Sequence, residues 1–213
     1  MFRKWLIGVN MKKGEKTEIT KERILGLAMQ EFGLKGYRGA SLNAICEGGI
    51  SKGLLYHNYK NKDALYLACV QACFLSLTEC IRNADIGNDL TKYMEVRMSF
   101  FRTHKLEAGI FFDAVLQPPE ELYDEISIIK NEFDTINKEI YARILNSLEL
   151  RQGVTFEEAM AYFYMLQDMI HSSFPKFNTK TLSIAEQMEE YEKMLPKMID
   201  FMLYGIARRD KEC

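Results

Sequence analysis

Two short segments of the chain, residues 41–47 and 51–59, each begin with a serine that can cap a helix. They are joined by Gly48 and Gly49, which permit a tight turn, and by Ile50, whose side chain can fill the space between two crossing helices. Two short helices that cross at a glycine turn, preceded by a longer helix, have the geometry of a helix-turn-helix. In that geometry the second helix projects its N-terminal residues outward, where they can enter the major groove of DNA.

The rest of the chain also has a helical pattern, because it contains only 4 prolines in 213 residues and its apolar residues recur at a spacing near 3.6 residues. Thr20 is placed to cap the first helix, which we expect to end at Gly33 and Gly36. Asn61 is placed to cap a fourth helix that extends to about Asn83. We therefore expect an all-α protein, with further helices near residues 89–104, 106–117, 119–149, 155–174 and 181–209.

Charge is divided unevenly along the chain. Residues 1–62 carry 12 Lys and Arg against 5 Asp and Glu, whereas residues 63–213 carry 16 against 25. A basic head on an acidic body indicates that the head meets a polyanion, although chance clustering of surface charge would give the same counts. We expect a flexible N-terminal arm over residues 1–17, or a start at Met11, then a DNA-binding head over residues 18–62 and a helical domain from residue 63 onward.

Several classes of protein are disfavoured by what the sequence lacks. The 5 cysteines form no CxxC pair and no His lies at metal-ligand spacing, so we expect reduced thiols in a cytoplasmic protein without metal or cofactor. A redox pair of Cys69 and Cys73, one helical turn apart, is the alternative. No apolar run approaches the roughly 18 residues of a membrane span. We also expect no enzyme, because the chain has no phosphate loop, nucleophile elbow or metal triad.

A longer ordered pattern runs through residues 20–66. It consists of RILGLAMQEFGLKGY in the first helix, followed by SLNAICEGGISKGLLYHNYKNKDAL across the glycine turn and into the fourth helix. This pattern resembles the TetR family of transcriptional regulators. The resemblance implies a three-helix DNA-binding head and a larger helical domain that binds a small ligand and dimerises. Leu54 and Asn58 depart from the family pattern, where a small polar residue and an aromatic residue or His are usual, and these changes bear on the operator sequence.

The resemblance assigns DNA contacts to seven residues. Phosphate contacts are implied for Ser41, Tyr56, His57 and Lys62, and positions over base edges for Lys52, Gly53 and Leu54. Hydroxyl and cationic groups suit phosphates, a lysine can donate to guanine, and a leucine can touch a thymine methyl. A surface that is merely amphipathic is the alternative for Tyr56 and His57. For Asn58, a capping or surface role is as well supported as a base contact.

Aromatic residues and methionines are concentrated in the C-terminal body, and the resemblance makes some of them the wall of an inducer pocket. The candidates are Phe100, Phe101, His104, Phe111, Phe112, Tyr123, Tyr162, Met165 and Met169. Such stripes also occur in ordinary helical cores, which is the alternative for each residue. His104 and His171 are candidates for a polar group in the pocket.

The last two helices carry apolar faces that we expect to form the dimer interface. These faces comprise Phe163, Leu166, Met169 and Ile170, and then Met194, Met198, Phe201 and Met202. The corresponding helices in the family form a four-helix interface across a two-fold axis, which suits a palindromic operator in double-stranded DNA.

From these features we expect a sequence-specific transcriptional regulator: a homodimeric repressor that an apolar or aromatic small-molecule inducer releases from DNA. The alternative is a DNA-binding regulator whose helical body responds to a partner protein. A cavity in the body would favour the ligand, and a sealed core would favour the partner protein.

Overall fold

The computed structural model describes residues 13–178 and 184–206, and the residues described are almost entirely helical, as predicted. The helices are α1 (Lys13–Gly39), α2 (Leu42–Glu47), α3 (Lys52–Asn58), α4 (Lys62–Asn83), α5 (Leu90–Thr103), α6 (Lys105–Leu116), α7 (Tyr123–Asn146), α8 (Phe156–Asn178) and α9 (Ile184–Ile206), with a single 3-10 turn at Glu120–Leu122. The expected single helix over residues 119–149 is therefore a 3-10 turn followed by α7.

Helices α1, α2 and α3 form the head. Ile24, Ala28 and Phe32 of α1, which are spaced four residues apart on one face of the helix, are fully buried. Ile45 of α2 and Leu55 of α3 belong to the same core. Each short helix thus buries a side chain in the core around α1. These contacts fix the orientation of α3 relative to α1.

The start predicted for the first helix is wrong. Helix α1 begins at Lys13, so residues 13–17 belong to it rather than to the expected arm, and Thr20 lies inside the helix. Gly33 also lies inside α1, and its role is to allow close packing rather than to end the helix. At Gly36 the backbone is left-handed, with φ of 66°, which agrees with the predicted turn. Residues 1–12, including Met11, lie outside the described part of the chain.

The caps predicted for the next three helices are confirmed. Ser41 Oγ accepts a hydrogen bond from Asn43 N at 3.2 Å, and Ser51 Oγ accepts one from Leu54 N at 3.2 Å. At the start of α4, Asn61 Oδ1 accepts from the backbone N–H of residue 64 at 2.9 Å. Each of these caps satisfies a backbone N–H that has no partner within its own helix.

Helix α4 is the central element of the body and packs against α1, α5, α6 and α7. Among the described helices it alone is long and apolar enough to cross a membrane, with a hydropathy of 1.7. Its apolar residues pack within the protein core, since Leu65, Val70 and Leu77 are fully buried. We therefore interpret α4 as a core helix, because a buried helix of a soluble protein can match a membrane span in length and apolar composition.

Candidate DNA-binding site and internal cavity

Helix α3 presents a polar and partly apolar surface to solvent. Lys52, Gly53 and His57 are exposed, Leu54 is 38% exposed and Tyr56 is 54% exposed. A side chain added at Gly53 would meet nothing within 4 Å, so this position is open space rather than a packing requirement. The structure thus places the residues predicted to contact bases, and two of those predicted to contact phosphates, on one solvent-facing helix.

The turn before α3 is held by both backbone and side-chain contacts. Gly49 has a φ of 86°, a left-handed conformation that glycine adopts without strain. At Gly48 a β-carbon would lie 2.5 Å from Leu27 Cδ2, so a side chain at this position would displace the side chain of Leu27. Arg23 Nη2 donates to the carbonyl oxygens of both glycines at 3.4 Å. Ile50 is buried, as predicted.

Asn58, for which capping and base contact were alternatives, bonds to its own helix. Its Nδ2 donates to the carbonyl oxygen of Leu54 at 2.8 Å. This bond engages the amide with the last turn of α3 and favours the capping interpretation over a base contact.

The remaining two predicted phosphate contacts flank α3. Ser41 is exposed at the start of α2, and its backbone N–H donates to Glu31 Oε1 at 3.1 Å. Lys62 is half-buried at the start of α4, with Nζ 4.6 Å from the centroid of the Tyr37 ring. This cation–π contact attracts the Lys62 ammonium group to the Tyr37 ring beside the N-terminus of α4.

The head is joined to the body by Asp113 of α6, which the sequence analysis did not single out. Asp113 Oδ2 accepts from Tyr37 N at 2.8 Å and from Tyr66 Oη at 2.6 Å. Burial raises the pKa of Asp113, and these two hydrogen bonds offset part of that rise. A signal was present in the sequence, because Asp113 is the one acidic residue in the apolar run GIFFDAVL. An isolated carboxylate in such a run requires buried donors.

Helices α1 and α6 also cross at two glycines. A β-carbon at Gly109 would lie 2.1 Å from the carbonyl oxygen of Gly33, and one at Gly33 would lie 2.7 Å from the carbonyl oxygen of Leu106. Neither position accepts a side chain without separating the helices. The head therefore rests on α6 through direct backbone contact.

The residues proposed for an inducer pocket do not form one site. Phe100, Phe101, Phe111 and Phe112 are buried and pack ring on ring, with centroids of Phe101 and Phe111 5.0 Å apart. His104 is exposed at the junction of α5 and α6 and stacks on Phe100 at 4.4 Å. The other four candidates are exposed on the surface: Tyr123, Tyr162, Met165 and Met169. His171 lies where side chains are not described.

A cavity of about 180 Å³ nevertheless lies inside the body, between α4, α5, α6, α7, α8 and α9. Of the predicted pocket residues, Phe111 lines it, together with Phe74, Phe133 and Phe163. Its most unexpected wall residue is Arg97, which is only 3% exposed. A more open groove of about 340 Å³ shares Val115, Lys130 and Asp168 with this cavity and includes the predicted residue Tyr123.

The outer faces of α8 and α9 expose several large apolar residues. Phe201 is 72% exposed, and Tyr162, Met165, Met169 and Tyr204 are also exposed. The prediction that Phe163 contributes to this face is wrong, because Phe163 is fully buried and packs on Tyr141 with ring centroids 3.5 Å apart. Four of the other predicted face residues are half-buried: Leu166, Met194, Met198 and Met202. The side chain of Ile170 is outside the described part of the structure.

Comparison with known proteins connects this geometry to a family. Residues 24–69 match the family described as "Bacterial regulatory proteins, tetR family". The chain is 26% identical over 196 residues to YerO, an uncharacterized HTH-type transcriptional regulator of Bacillus subtilis, covering 88% of this chain and 66% of YerO. It is 42% identical over 52 residues to the HTH-type transcriptional regulator UidR of Escherichia coli, covering 24% of this chain and 26% of UidR. The chain thus spans less than two thirds of these relatives.

A solved structure shows the same fold beyond the head. The transcriptional regulator FadR from Bacillus subtilis, determined in complex with stearoyl-CoA, superimposes with a TM-score of 0.54 at 17% identity, over 82% of this chain and 96% of that one. The chain is thus similar to the tetR family of bacterial regulatory proteins over residues 24–69, and it shares the fold of a solved transcriptional regulator beyond them.

Proposed function

We propose that this protein is a sequence-specific DNA-binding transcriptional regulator, and that it is a repressor released by a small molecule with an apolar or aromatic part. The observation that carries the proposal is the solvent-facing surface of α3, which the caps at Ser41 and Ser51 and the turn at Gly48 and Gly49 hold in a fixed orientation. A rigid helix that projects from its own core is what insertion into a major groove requires.

In this proposal the DNA contacts fall into two groups. Ser41, Tyr56, His57 and Lys62 bind phosphates, which positions the head without reading sequence. Lys52, Gly53 and Leu54 lie over base edges, where the lysine donates to guanine and the leucine touches a thymine methyl. The lack of a side chain at Gly53 lets the helix approach the bases closely.

We further propose that the protein acts as a homodimer through α8 and α9. The support is the set of exposed apolar residues on these helices, because contiguous apolar surface in a monomer is costly in water. A two-fold dimer presents two copies of α3 to half-sites about 34–36 Å apart, which corresponds to a palindromic operator.

Release by a ligand is supported by the cavity and by the contact between α6 and the head. The cavity is bounded in part by α6, and α6 also carries Asp113 and Gly109, which touch the head. A ligand that favours one position of α6 would therefore shift the head, whereas a ligand with equal affinity for both positions would shift nothing. The cavity favours a ligand over the alternative, in which a partner protein acts on the body.

The experiment that tests this proposal is selection of bound duplexes from a random DNA library. The expected product is a palindrome with half-sites separated by one helical turn, bound about 10³-fold or more tighter than a scrambled duplex at fixed salt. Failure to enrich any sequence would contradict the proposal. Compounds that stabilise the protein in a thermal-shift screen are then expected to weaken operator binding about 5- to 150-fold. If no compound binds, the partner-protein alternative is favoured.

A further inference from the structure

The internal cavity and the open groove beside it are lined by different kinds of apolar side chain. The cavity of about 180 Å³ has aromatic walls, and the groove of about 340 Å³ has an aliphatic floor. Building on the ligand-responsive function proposed above, we propose that the two spaces together bind one neutral ligand: an aromatic ring that carries a linear alkyl chain. The ring would occupy the cavity, and the chain would pass into the groove at the residues that both spaces share.

The walls of the cavity suit an aromatic ring. Phe74, Phe111 and Phe133 are buried, and the ring centroid of Phe74 lies 5.2 Å from that of Phe111 and 5.5 Å from that of Phe133. The fully buried Phe163 lines the cavity as well. Aromatic rings prefer edge-to-face and offset contacts with centroids about 4.5–7 Å apart, so a ligand ring can join this cluster in the same geometry.

The buried polar residues of the cavity wall bond within the protein. Arg97 Nη1 donates to Tyr93 Oη at 3.3 Å, and Tyr93 Oη donates to Asn137 Oδ1. The guanidinium also faces aromatic rings, with its Cζ 5.8 Å from the centroid of Phe101 and 6.0 Å from that of Phe111. Because these polar groups have partners in the protein, contact with an uncharged ring costs them no hydrogen bond. A neutral ligand therefore suits this wall.

The volume of the cavity limits how much of a ligand it can hold. An apolar protein cavity of about 150 Å³ binds benzene, so a cavity of about 180 Å³ accommodates one ring and little more. An alkyl chain attached to that ring must therefore leave the cavity. The groove lies beside the cavity, and Val115, Lys130 and Asp168 line both spaces.

The boundary between the two spaces consists of side chains that a ligand can displace. Val115 and Lys130 are half-buried, and Asp168 is exposed. Lys130 Nζ is paired with Asp134 Oδ2 at 2.8 Å, and these two side chains are 31% and 47% exposed. An ion pair between partly exposed side chains contributes little to stability, so moving Lys130 aside costs little. A ligand chain can therefore pass this boundary.

The groove offers apolar surface along the path of the chain. Ala114, Leu116 and Ile126 line it and are buried, whereas Tyr123 lines it and is 62% exposed. An alkyl chain laid in the groove would remove its own apolar surface and that of Tyr123 from water, which favours binding in proportion to the area covered. The far end of the chain would stay in solvent, where a polar group costs nothing.

The test uses the full chain without DNA and three neutral probes: benzyl alcohol, 4-phenylbutan-1-ol and 6-phenylhexan-1-ol. Isothermal titration calorimetry of the wild type is expected to show affinity rising about two- to fourfold for each added methylene. Butan-1-ol and hexan-1-ol, which lack the ring, are expected to bind about tenfold or more weakly than the phenyl alcohols of the same chain length. No binding of any probe, or no loss on removing the ring, would overturn the proposal. Equal affinity across the phenyl series would also overturn it and would favour a second copy of the chain as the occupant of the groove.

Variants then locate the alkyl chain. Ser127 is exposed on α7 and lines the groove but not the cavity, so Ser127→Phe places a bulky side chain in the path of the ligand chain alone. This variant is expected to lose the gain in affinity with chain length and to bind benzyl alcohol as the wild type does. Thr135→Phe is the matched control, because Thr135 is exposed on the same helix and lines neither space. A gain that survives Ser127→Phe, or that disappears in Thr135→Phe, would place the chain elsewhere and contradict the proposal.

This result is separable from the test of DNA binding. A protein that selects an operator but shows no dependence on chain length would exclude the two-part ligand alone. A protein that binds the probes as expected but selects no operator would exclude the regulatory function alone. The wild-type series decides the ligand proposal even if circular dichroism shows that Ser127→Phe does not fold.

Discussion

Asp113 lies on α6, and the two hydrogen bonds that it accepts come from α1 and α4. A β-carbon at Gly36 would lie 2.5 Å from Asp113 Oδ1, so the glycine leaves room for this carboxylate. Three helices therefore meet at one side chain. Because the carboxylate is largely desolvated there, its ionisation affects the stability of the junction.

Replacing Asp113 with Asn provides a test of this ionisation. The pKa of Asp113 is raised from 3.8 by burial, so the folded state holds its proton more tightly than the unfolded state does. The stability that the protonated acid contributes is fully present below about pH 3.8 and is lost as pH rises through the folded pKa. The free energy of unfolding of the wild type, minus that of Asp113→Asn, is therefore expected to fall as pH rises above about 4. Urea denaturation of both proteins across this range measures the difference; a constant or rising difference would contradict the assignment.

At the scale of elements, the crossing of α1 and α6 connects the head to the body without intervening side chains. Gly109→Ala places a β-carbon against the carbonyl oxygen of Gly33, and we expect it to destabilise the protein by about 1–3 kcal/mol through overpacking. The matched control is Gly26→Ala in α1, where a β-carbon meets nothing within 4 Å. This control should stabilise the helix by about 1 kcal/mol, because alanine favours helix over glycine. Thermal unfolding distinguishes them, and similar shifts for both would argue against a close crossing.

Local signals in the sequence predicted where α2, α3 and α4 begin. Ser41, Ser51 and Asn61 are caps whose hydrogen bonds reach only two or three residues along the chain, so their positions could be read from the sequence. The junction at Asp113 could not be read in this way, since its bond to Tyr37 spans 76 positions. The same applies to Arg97, whose ring neighbours come from three different helices.

Periodicity also left the orientation of some helices unresolved. On α8 the apolar residues occur all around the helix, so spacing alone did not show that Phe163 faces the core while Met165 faces solvent. Periodicity also could not show which of the predicted pocket residues border a cavity. Aromatic residues are abundant along the sequence, but which of them border empty space depends on how six helices pack.

For the whole molecule, the exposed apolar faces of α8 and α9 predict a dimer. Phe201→Lys is expected to weaken dimerisation about 10- to 100-fold, or about 1.4–2.8 kcal/mol, because it buries a charge at an apolar interface. Ile128→Lys is the matched control, because Ile128 on α7 is 76% exposed and Phe201 is 72% exposed. Sedimentation equilibrium measures both variants. A dimer that Ile128→Lys disrupts and Phe201→Lys leaves intact would place the interface on α7.

We propose that α3 reads DNA sequence, and parallel binding-site selections with the wild type, Leu54→Ser and Tyr56→Ala test this role. Leu54→Ser is expected to change the preferred base at one position of each half-site, because it removes the side chain that we propose to contact a thymine methyl. Tyr56→Ala is expected to return the wild-type motif with weaker binding to every duplex, because a phosphate contact carries no sequence information. If Leu54→Ser returns the wild-type motif with unchanged base preferences, α3 does not read sequence through this residue, and the proposed base contact is contradicted.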